Sequence, residues 1–349
     1  MLFAPKNKGF FVEKNDHGWM LARTSSASAP LVVEELREVR LNDPEALKAV
    51  ISEIQPKAHP SGYLHADCGV YPPKRLLRCG TIEPRRAKEA NYLSEFCSQQ
   101  FRIEHEKYII ALLDAATGTQ CDISQVLPKE LLFCGLLNEE VVSNQDTMLE
   151  AGIYPTRLEL GSVALLGGIV DTLVFSGSKS PTLVLEIGSD ATHSFIVGAD
   201  GVEASRPIPF GIESMLPVVH RKLNLKDEES ARKLFYSNTF DFTSMGPELV
   251  QRLLKELQSS IGFFEVQTGQ SIGQLICTAL PSQLSWIESS IGSSLGVATV
   301  KLDIPAWLAS HRITLSDRAL AVSPDSRWLG LLSLLVSHHT PAVPHAAAL

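Results

Sequence analysis

The chain has 349 residues, 44% of them hydrophobic, which is enough to bury more than one core. Acidic residues outnumber basic ones 39 to 31 and no lysine- or arginine-rich run occurs, which argues against a nucleic-acid partner. The six cysteines are scattered without a C-x-x-C pair, a pattern typical of reduced cytosolic thiols rather than of disulfides or a zinc site.

The apolar segments of the chain are short. Its N-terminal stretch "MLFAPKNKGFFVEK" lacks a sustained apolar run, and "SVALLGGIV" is far shorter than the roughly 20 residues that cross a bilayer. We therefore expect neither export nor a membrane span. Residues 338–349 are rich in small residues and proline, which predicts a disordered tail.

The first half of the chain opens with a predicted β-meander, since apolar strands flank the turn formers of "KNDHG" and a third strand follows. Asp43 and Pro44 predict a helix start, with aspartate as N-cap and proline in the first turn. An amphipathic helix is expected to begin near Glu83, and another to cover 138–150 and end at Gly152. We interpret the small residues at 161–168 as the packing surface of a helix rather than as a nucleotide loop.

The second half alternates strands and helices. The stretch "TLVLEIGSDATHSFIVGADGVEASRPIPFG" predicts three strands with an Asp200-Gly201 hairpin. A long helix is expected over 247–264, because its leucines recur at helical spacing. Strand-rich stretches interleaved with helices, twice over, predict an α/β protein with two similar halves.

Four stretches resemble the actin-like superfamily, and within it the PilM-type type IV pilus assembly proteins, which are relatives of FtsA and of the cytoplasmic part of GspL. They are "EAGIYPTRLELGSVAL", "LVLEIGSDATHSFIVGADGVEASRPIPFG", "ELVQRLLKELQSSIGFFEVQTGQSIGQLI" and "SRWLGLLSLL". The resemblance implies an actin-like, ribonuclease H-like fold of two domains, with mixed sheets flanked by helices and an inserted subdomain of the FtsA/PilM type. It places the first domain at 1–72, 153–180 and 322–337, the insert at 73–152, and the second domain at 181–321.

The resemblance also implies an ATP site, in which two hairpin turns hold phosphates and a Gly-Gly turn admits the adenosine. Backbone N–H groups of a glycine-rich turn can bind an anion closely. In the first turn, "VEKNDHGWML", Glu13 retains the acidic position, but Lys14 and Asn15 stand where the family has glycine. The side chains of that turn are therefore expected to crowd the phosphate position.

The second turn is nearer to the family pattern, with Glu186 at the acidic position and Gly188, Ser189 and Thr192 available for phosphate. Asp190 adds a carboxylate, which costs about 1–4 kcal/mol at about 4 Å from a phosphate. In the third turn, 279–280 reads Ala-Leu instead of Gly-Gly.

We interpret the two hairpin turns as vestigial phosphate turns without catalytic residues or a metal site. No cofactor is expected, and ATP with Mg²⁺ would bind only if the ancestral site survives.

The function implied by the resemblance is that of a cytoplasmic scaffold at the inner-membrane face, in a type IV pilus or type II secretion-like assembly. Its implied partner is a PilN-like single-span inner-membrane protein, bound through that protein's cytoplasmic N-terminal tail. The scaffold would thus be peripheral to the membrane. Two alternatives stay open: an active actin-like ATPase or sugar-kinase-like phosphotransferase, in which Glu13 or Glu186 positions magnesium-bound water, and an FtsA-like polymer.

Overall fold

A computed structural model of the chain describes residues 8–27, 29–41, 43–55, 59–89, 91–300 and 302–339. The chain divides into two compact units. The first comprises Met1–Tyr71, Val141–Phe175 and Leu302–Leu349, and the second comprises Pro72–Glu140 and Ser176–Lys301.

The described residues form fourteen strands and twelve α-helices, besides shorter 3-10 and π turns. The strands are β1 (Gly9–Lys14), β2 (Gly18–Thr24), β3 (Leu31–Arg40), β4 (Leu64–Val70), β5 (Leu76–Thr81), β6 (Tyr108–Asp114), β7 (Glu130–Leu137), β8 (Ile153–Leu160), β9 (Thr182–Ile187), β10 (Thr192–Gly198), β11 (Gly201–Ile208), β12 (Gln274–Thr278), β13 (Ala298–Thr299) and β14 (Ile313–Leu315). The helices are α1 (Pro44–Ile54), α2 (Tyr92–Phe96), α3 (Asn138–Glu150), α4 (Gly161–Ser176), α5 (Leu216–Lys222), α6 (Glu228–Tyr236), α7 (Gly246–Leu249), α8 (Gln251–Thr268), α9 (Trp286–Leu295), α10 (Ile304–Ser310), α11 (Asp317–Ala321) and α12 (Leu329–His339).

The first unit contains a six-stranded mixed sheet in the order β14-β3-β2-β1-β4-β8. Strands β1, β2 and β3 form the predicted antiparallel meander, and β4, β8 and β14 each pair in parallel with a neighbour. The sequence placed 302–321 in the second domain, whereas β14 lies in the sheet of the first unit, because Ile313 to Leu315 pair with the start of β3.

Helix α1 begins as its sequence predicts. The Asp43 carboxylate accepts a hydrogen bond from the Ala46 amide at 3.0 Å, and Pro44 occupies the first turn, where it needs no amide donor. Its apolar side packs into a core that includes Leu47 and Ile54 on the helix and Val12 on the sheet.

The predicted start of a helix near Glu83 is wrong, because α-helical structure begins only at Tyr92. Residues 86–88 form only a 3-10 turn, and α2 starts after Asn91, whose φ of 76° does not continue a right-handed helix. A single π-turn then ends at Arg102, again at positive φ. The helix expected over 247–264 is interrupted at Val250 and continues as α8 to Gly269, a left-handed glycine cap.

The second unit contains two sheets. A five-stranded sheet has the order β11-β10-β9-β12-β13, and its β10–β11 hairpin turns at Asp200-Gly201 as predicted. A three-stranded antiparallel sheet has the order β5-β7-β6 and is formed by residues that precede the five-stranded sheet in the chain. It has its own core around Phe133. The Cys79 amide of β5 donates to the Ser205 hydroxyl of β11 at 2.6 Å, which joins the two sheets.

Among the described residues, no helix combines the length and apolarity that a membrane span requires. Most of the tail predicted at 338–349 lies outside the described residues. Its first two residues, 338 and 339, are the last residues of α12.

The small residues at 161–168 lie on α4, where they permit close helix packing. A Cβ on Gly168 would lie 1.9 Å from the Ser333 hydroxyl of α12 and 2.7 Å from its Cβ. Ser333 is itself buried, so it has little room to move. A Cβ on neighbouring Gly167 would meet no atom within 4 Å. The interpretation of this stretch as a packing surface therefore holds.

These two glycines provide a matched test of that packing. Gly168→Ala is expected to lower the free energy of unfolding by about 1–3 kcal/mol through overpacking. Gly167→Ala, on the open side of the same helix, is expected to raise it by about 0.5–1 kcal/mol. Chemical denaturation of both variants measures the difference, and equal stabilities would contradict the packing described.

Candidate functional site

The first candidate turn, residues 15–17 between β1 and β2, is closed by the side chain of Asn15. Its Oδ1 accepts hydrogen bonds from the amides of His17 at 2.9 Å and Gly18 at 3.2 Å, while the Asn15 amide donates to the Gly18 carbonyl. Lys14 lies beside the turn, with its Nζ 5.9 Å from the centre of the Trp19 ring. Two turn amides that would face an anion in a phosphate turn are thus hydrogen-bonded to a carboxamide.

Glu13, which precedes this turn, is only 3% exposed. The Asn15 amide group donates to its Oε1 at 3.3 Å. A Cβ on Gly330 of α12 would lie 2.2 Å from Glu13 Oε2 and 2.4 Å from the Tyr71 hydroxyl. The helix therefore approaches this carboxylate closely, and only glycine fits at the contact.

In the second unit, Glu186 forms a buried ion pair with Arg75. Arg75 Nη2 lies 2.6 Å from Glu186 Oε2, and the two side chains are 6% and 1% exposed. Arg75 Nη1 also donates to the Pro72 carbonyl at 2.9 Å, which fixes the guanidinium at the start of the inserted segment. The protein itself thus supplies a cation to the carboxylate that sequence reasoning assigned to a phosphate turn.

The second turn, residues 188–191, is a closed hairpin bend that rests on the segment after β11. The Gly188 amide donates to the Ala191 carbonyl at 3.0 Å, and the carbonyls of Gly188 and Ser189 accept from Ile212 and Glu213. Asp190 is exposed at the tip.

The residues flanking this turn are held by contacts with the protein. The Thr192 hydroxyl donates to the Phe210 carbonyl at 2.7 Å. Gly211 approaches the turn so closely that a Cβ there would lie 2.3 Å from the Ser189 carbonyl oxygen. The hydroxyl of Thr192 and the amide of Gly188 are therefore both engaged within the protein.

His193 lies opposite Glu186 on β10 and is 4% exposed. Burial lowers the pKa of His193 to about 3, with a further contribution from the positive charges of Arg75 and Arg78. The imidazole is therefore neutral at pH 7, as expected for a packed strand histidine.

The third turn follows β12 and lacks the open backbone of a Gly-Gly pair. Ala279 has a φ of 60°, a conformation that favours glycine, and Leu280 is 5% exposed within the core of the second unit. Leu280 therefore packs into the core at the position where the family has the second glycine.

The predicted site residues fall into two groups in the described chain. Glu186, Gly188, Ser189, Asp190 and Thr192 share one hairpin of the second unit, whereas Glu13 and Lys14 belong to the first unit. Sequence reasoning missed Arg75, which precedes Glu186 by 111 positions. The sequence near Arg75 shows an arginine in a proline-rich turn before β5. This local pattern does not indicate that Glu186 is the partner of Arg75.

The two units and their mixed sheets define an α/β protein with the two-domain actin-like fold. More particularly, the chain resembles a chain of the solved "PilM-PilN type IV pilus biogenesis complex", with a TM-score of 0.69 and 17% sequence identity, over 97% of this chain and 100% of that one. The predicted PilM-type actin-like fold is therefore confirmed.

Two looser structural similarities have lower TM-scores. The ethanolamine utilization protein EutJ from Carboxydothermus hydrogenoformans has a TM-score of 0.42 at 13% identity, over 95% of this chain and 91% of that one. The cytoplasmic domain of EpsL, an inner membrane component of the type II secretion system of Vibrio cholerae, has a TM-score of 0.41 at 11% identity, over 95% and 94%. No family model and no curated protein sequence matches the chain.

The Arg75–Glu186 pair can be tested by one single variant and one double variant. Arg75→Met removes the cation 2.6 Å from a buried carboxylate and is expected to lower the free energy of unfolding by about 3–5 kcal/mol. The double variant Arg75→Met/Glu186→Gln is expected to recover most of that loss, because no buried carboxylate is left to compensate.

A matched control is Lys48→Met, which breaks the exposed Lys48–Glu45 pair at 3.1 Å and is expected to cost at most about 1 kcal/mol. Urea denaturation measures all three variants. A loss in Arg75→Met no larger than in this control would show that the buried pair has no structural role.

Proposed function

We propose that this protein is a cytoplasmic scaffold of a type IV pilus or type II secretion-like assembly. In this proposal it lies at the inner-membrane face and binds the cytoplasmic N-terminal tail of a PilN-like single-span membrane protein. The observation that carries the proposal is the structural similarity to a chain of the PilM–PilN complex over 97% of this chain. The inserted segment, with its own sheet and core, gives such a scaffold a surface beyond the actin-like domains.

We further propose that the ancestral ATP site is lost. Three observations support this, one for each turn. The Asn15 side chain occupies two amides of the first turn, Arg75 supplies the cation beside Glu186 at the second, and Leu280 fills the third. A phosphate-binding turn needs exposed N–H groups, and a metal-binding carboxylate needs to be available to the metal.

The partner proposal predicts binding of a specific peptide. Isothermal titration of the full chain with a peptide of the cytoplasmic N-terminal tail of a PilN-like protein from the same organism is expected to show saturable, one-to-one binding in the micromolar range. A scrambled peptide of the same composition is the control, and it is expected not to bind. No binding of the native tail at high micromolar concentration would contradict the proposal.

The proposed loss of the ATP site predicts no stabilisation by nucleotide. Thermal unfolding with millimolar ATP and Mg²⁺ is expected to leave the melting temperature within about 1 °C of the value in Mg²⁺ alone. A shift of several degrees would favour the active ATPase or phosphotransferase alternative. Light scattering of the same samples tests for an FtsA-like polymer, which would increase scattering with ATP.

A further inference from the structure

The second unit contains a cavity of about 900 Å³ that lies away from the three turns. Its lining includes residues of β5, the rings of Phe96 and Phe101, and Ser260 and Phe263 of α8. Residues of β10 and β11 also line it. The cavity is therefore bounded by both sheets of the unit and by its longest helix.

Arg78 of β5 lines this cavity, and no carboxylate of the described residues pairs with it. None of the residues that the structure describes forms an ion pair or a hydrogen bond with its guanidinium, and its Nε is buried. Burial lowers the pKa of Arg78, and the charge of nearby Arg206 lowers it further. A desolvated cation is costly unless an anion compensates it, so this position favours an anionic ligand.

Arg206, which lines the same cavity, shows the contrasting case. Its guanidinium is held by the Glu256 carboxylate at 2.5 Å and by the Ser260 hydroxyl at 2.9 Å. The charge of Arg206 is thus compensated within the protein, whereas Arg78 has no such partner among the described side chains.

Two carboxylates, those of Glu130 and Glu203, also line the cavity. Glu130 accepts a hydrogen bond from the Thr81 hydroxyl at 2.8 Å, and Thr81 follows Arg78 by three residues, or about 10 Å along a strand. Glu203 Oε1 lies against Gly198 in the β10–β11 hairpin, 2.7 Å from where a Cβ would sit. Neither carboxylate forms an ion pair with Arg78 among the described contacts.

Aromatic rings flank the arginine. Its guanidinium carbon lies 5.5 Å from the centre of the Phe101 ring, and Phe101 packs edge-on against Phe133 at 5.1 Å. Phe263 of α8, which also lines the cavity, is 66% exposed. A flat aromatic ligand in the cavity would pack against these rings.

We propose that this cavity binds a small organic anion, a phosphate or carboxylate carried on an aromatic ring, with the anionic group on Arg78 and the ring against the phenylalanine side chains. The lining combines phenylalanine rings with polar side chains, and Arg78 supplies the directional charged group, as in many small-molecule pockets. It is separate from the proposed nucleotide turns and does not depend on tail binding.

Phenyl phosphate is the probe for this proposal. In the full chain, about 10 mM phenyl phosphate is expected to raise the melting temperature by roughly 2–4 °C, as for a ligand of about millimolar affinity. Benzoate in its place distinguishes a carboxylate ligand from a phosphate. Inorganic phosphate supplies only the anionic group, and benzyl alcohol supplies only the aromatic ring. Each is expected to raise the melting temperature by less than half as much as the better of phenyl phosphate and benzoate.

The matched variants are Arg78→Met and Arg85→Met, since Arg85 is an exposed arginine of the same inserted segment. Arg78→Met is expected to abolish the shift and Arg85→Met to retain it in full. If Arg78→Met does not fold, Arg78→Gln replaces it. An equal shift in the Arg78 variant, no shift with either aryl anion in the unmodified chain, or an equal shift with inorganic phosphate would overturn the proposal.

Discussion

The ion pair between Arg75 and Glu186 is the interaction on which the arrangement of the second unit depends. A carboxylate that is 1% exposed is destabilising unless a cation and hydrogen bonds surround it, and here the cation comes from the loop that enters the inserted segment. The pair therefore fixes the start of β5 against β9. The same positive charge, together with burial, keeps the neighbouring His193 neutral. This long-range pair thus contributes, with the Cys79–Ser205 hydrogen bond, to the position of the insert, and it adds to the effect of burial on His193.

The three candidate turns share a second constraint. At each turn, a side chain of the protein either hydrogen-bonds to nearby backbone groups or is buried in the core. Asn15 caps the amides of one turn, Thr192 bonds the carbonyl of Phe210 beside the next, and Leu280 is buried at the third. Buried polar backbone groups must find partners, and side chains within the turn provide them without a ligand. This internal satisfaction is the physical basis for proposing a scaffold with the fold of a nucleotide-binding protein but without its nucleotide.

Arg75 and Arg78 are only three residues apart, but Arg75 has a structural role and Arg78 has the proposed binding role. Arg75 is 6% exposed and paired with a carboxylate and a carbonyl. Arg78 lies against Phe101 at the wall of a cavity, and the described residues offer it no anion. The first arrangement stabilises the fold, whereas the second leaves a partly buried charge that an anionic ligand would compensate. The proposed small-molecule site does not depend on the proposed tail binding.

The sequence by itself determined the α/β class, the opening meander, the capped start of α1 and the β10–β11 hairpin, because each depends on residues close together in the chain. The family-like stretches also led to the actin-like fold. Only the tertiary structure decided that β14 joins the first unit, that Glu186 pairs with Arg75, and that the segment after Glu83 is broken at Asn91. Tertiary packing determines which strands pair and which charged side chains meet when they are over a hundred residues apart. A local sequence pattern does not predict these partners.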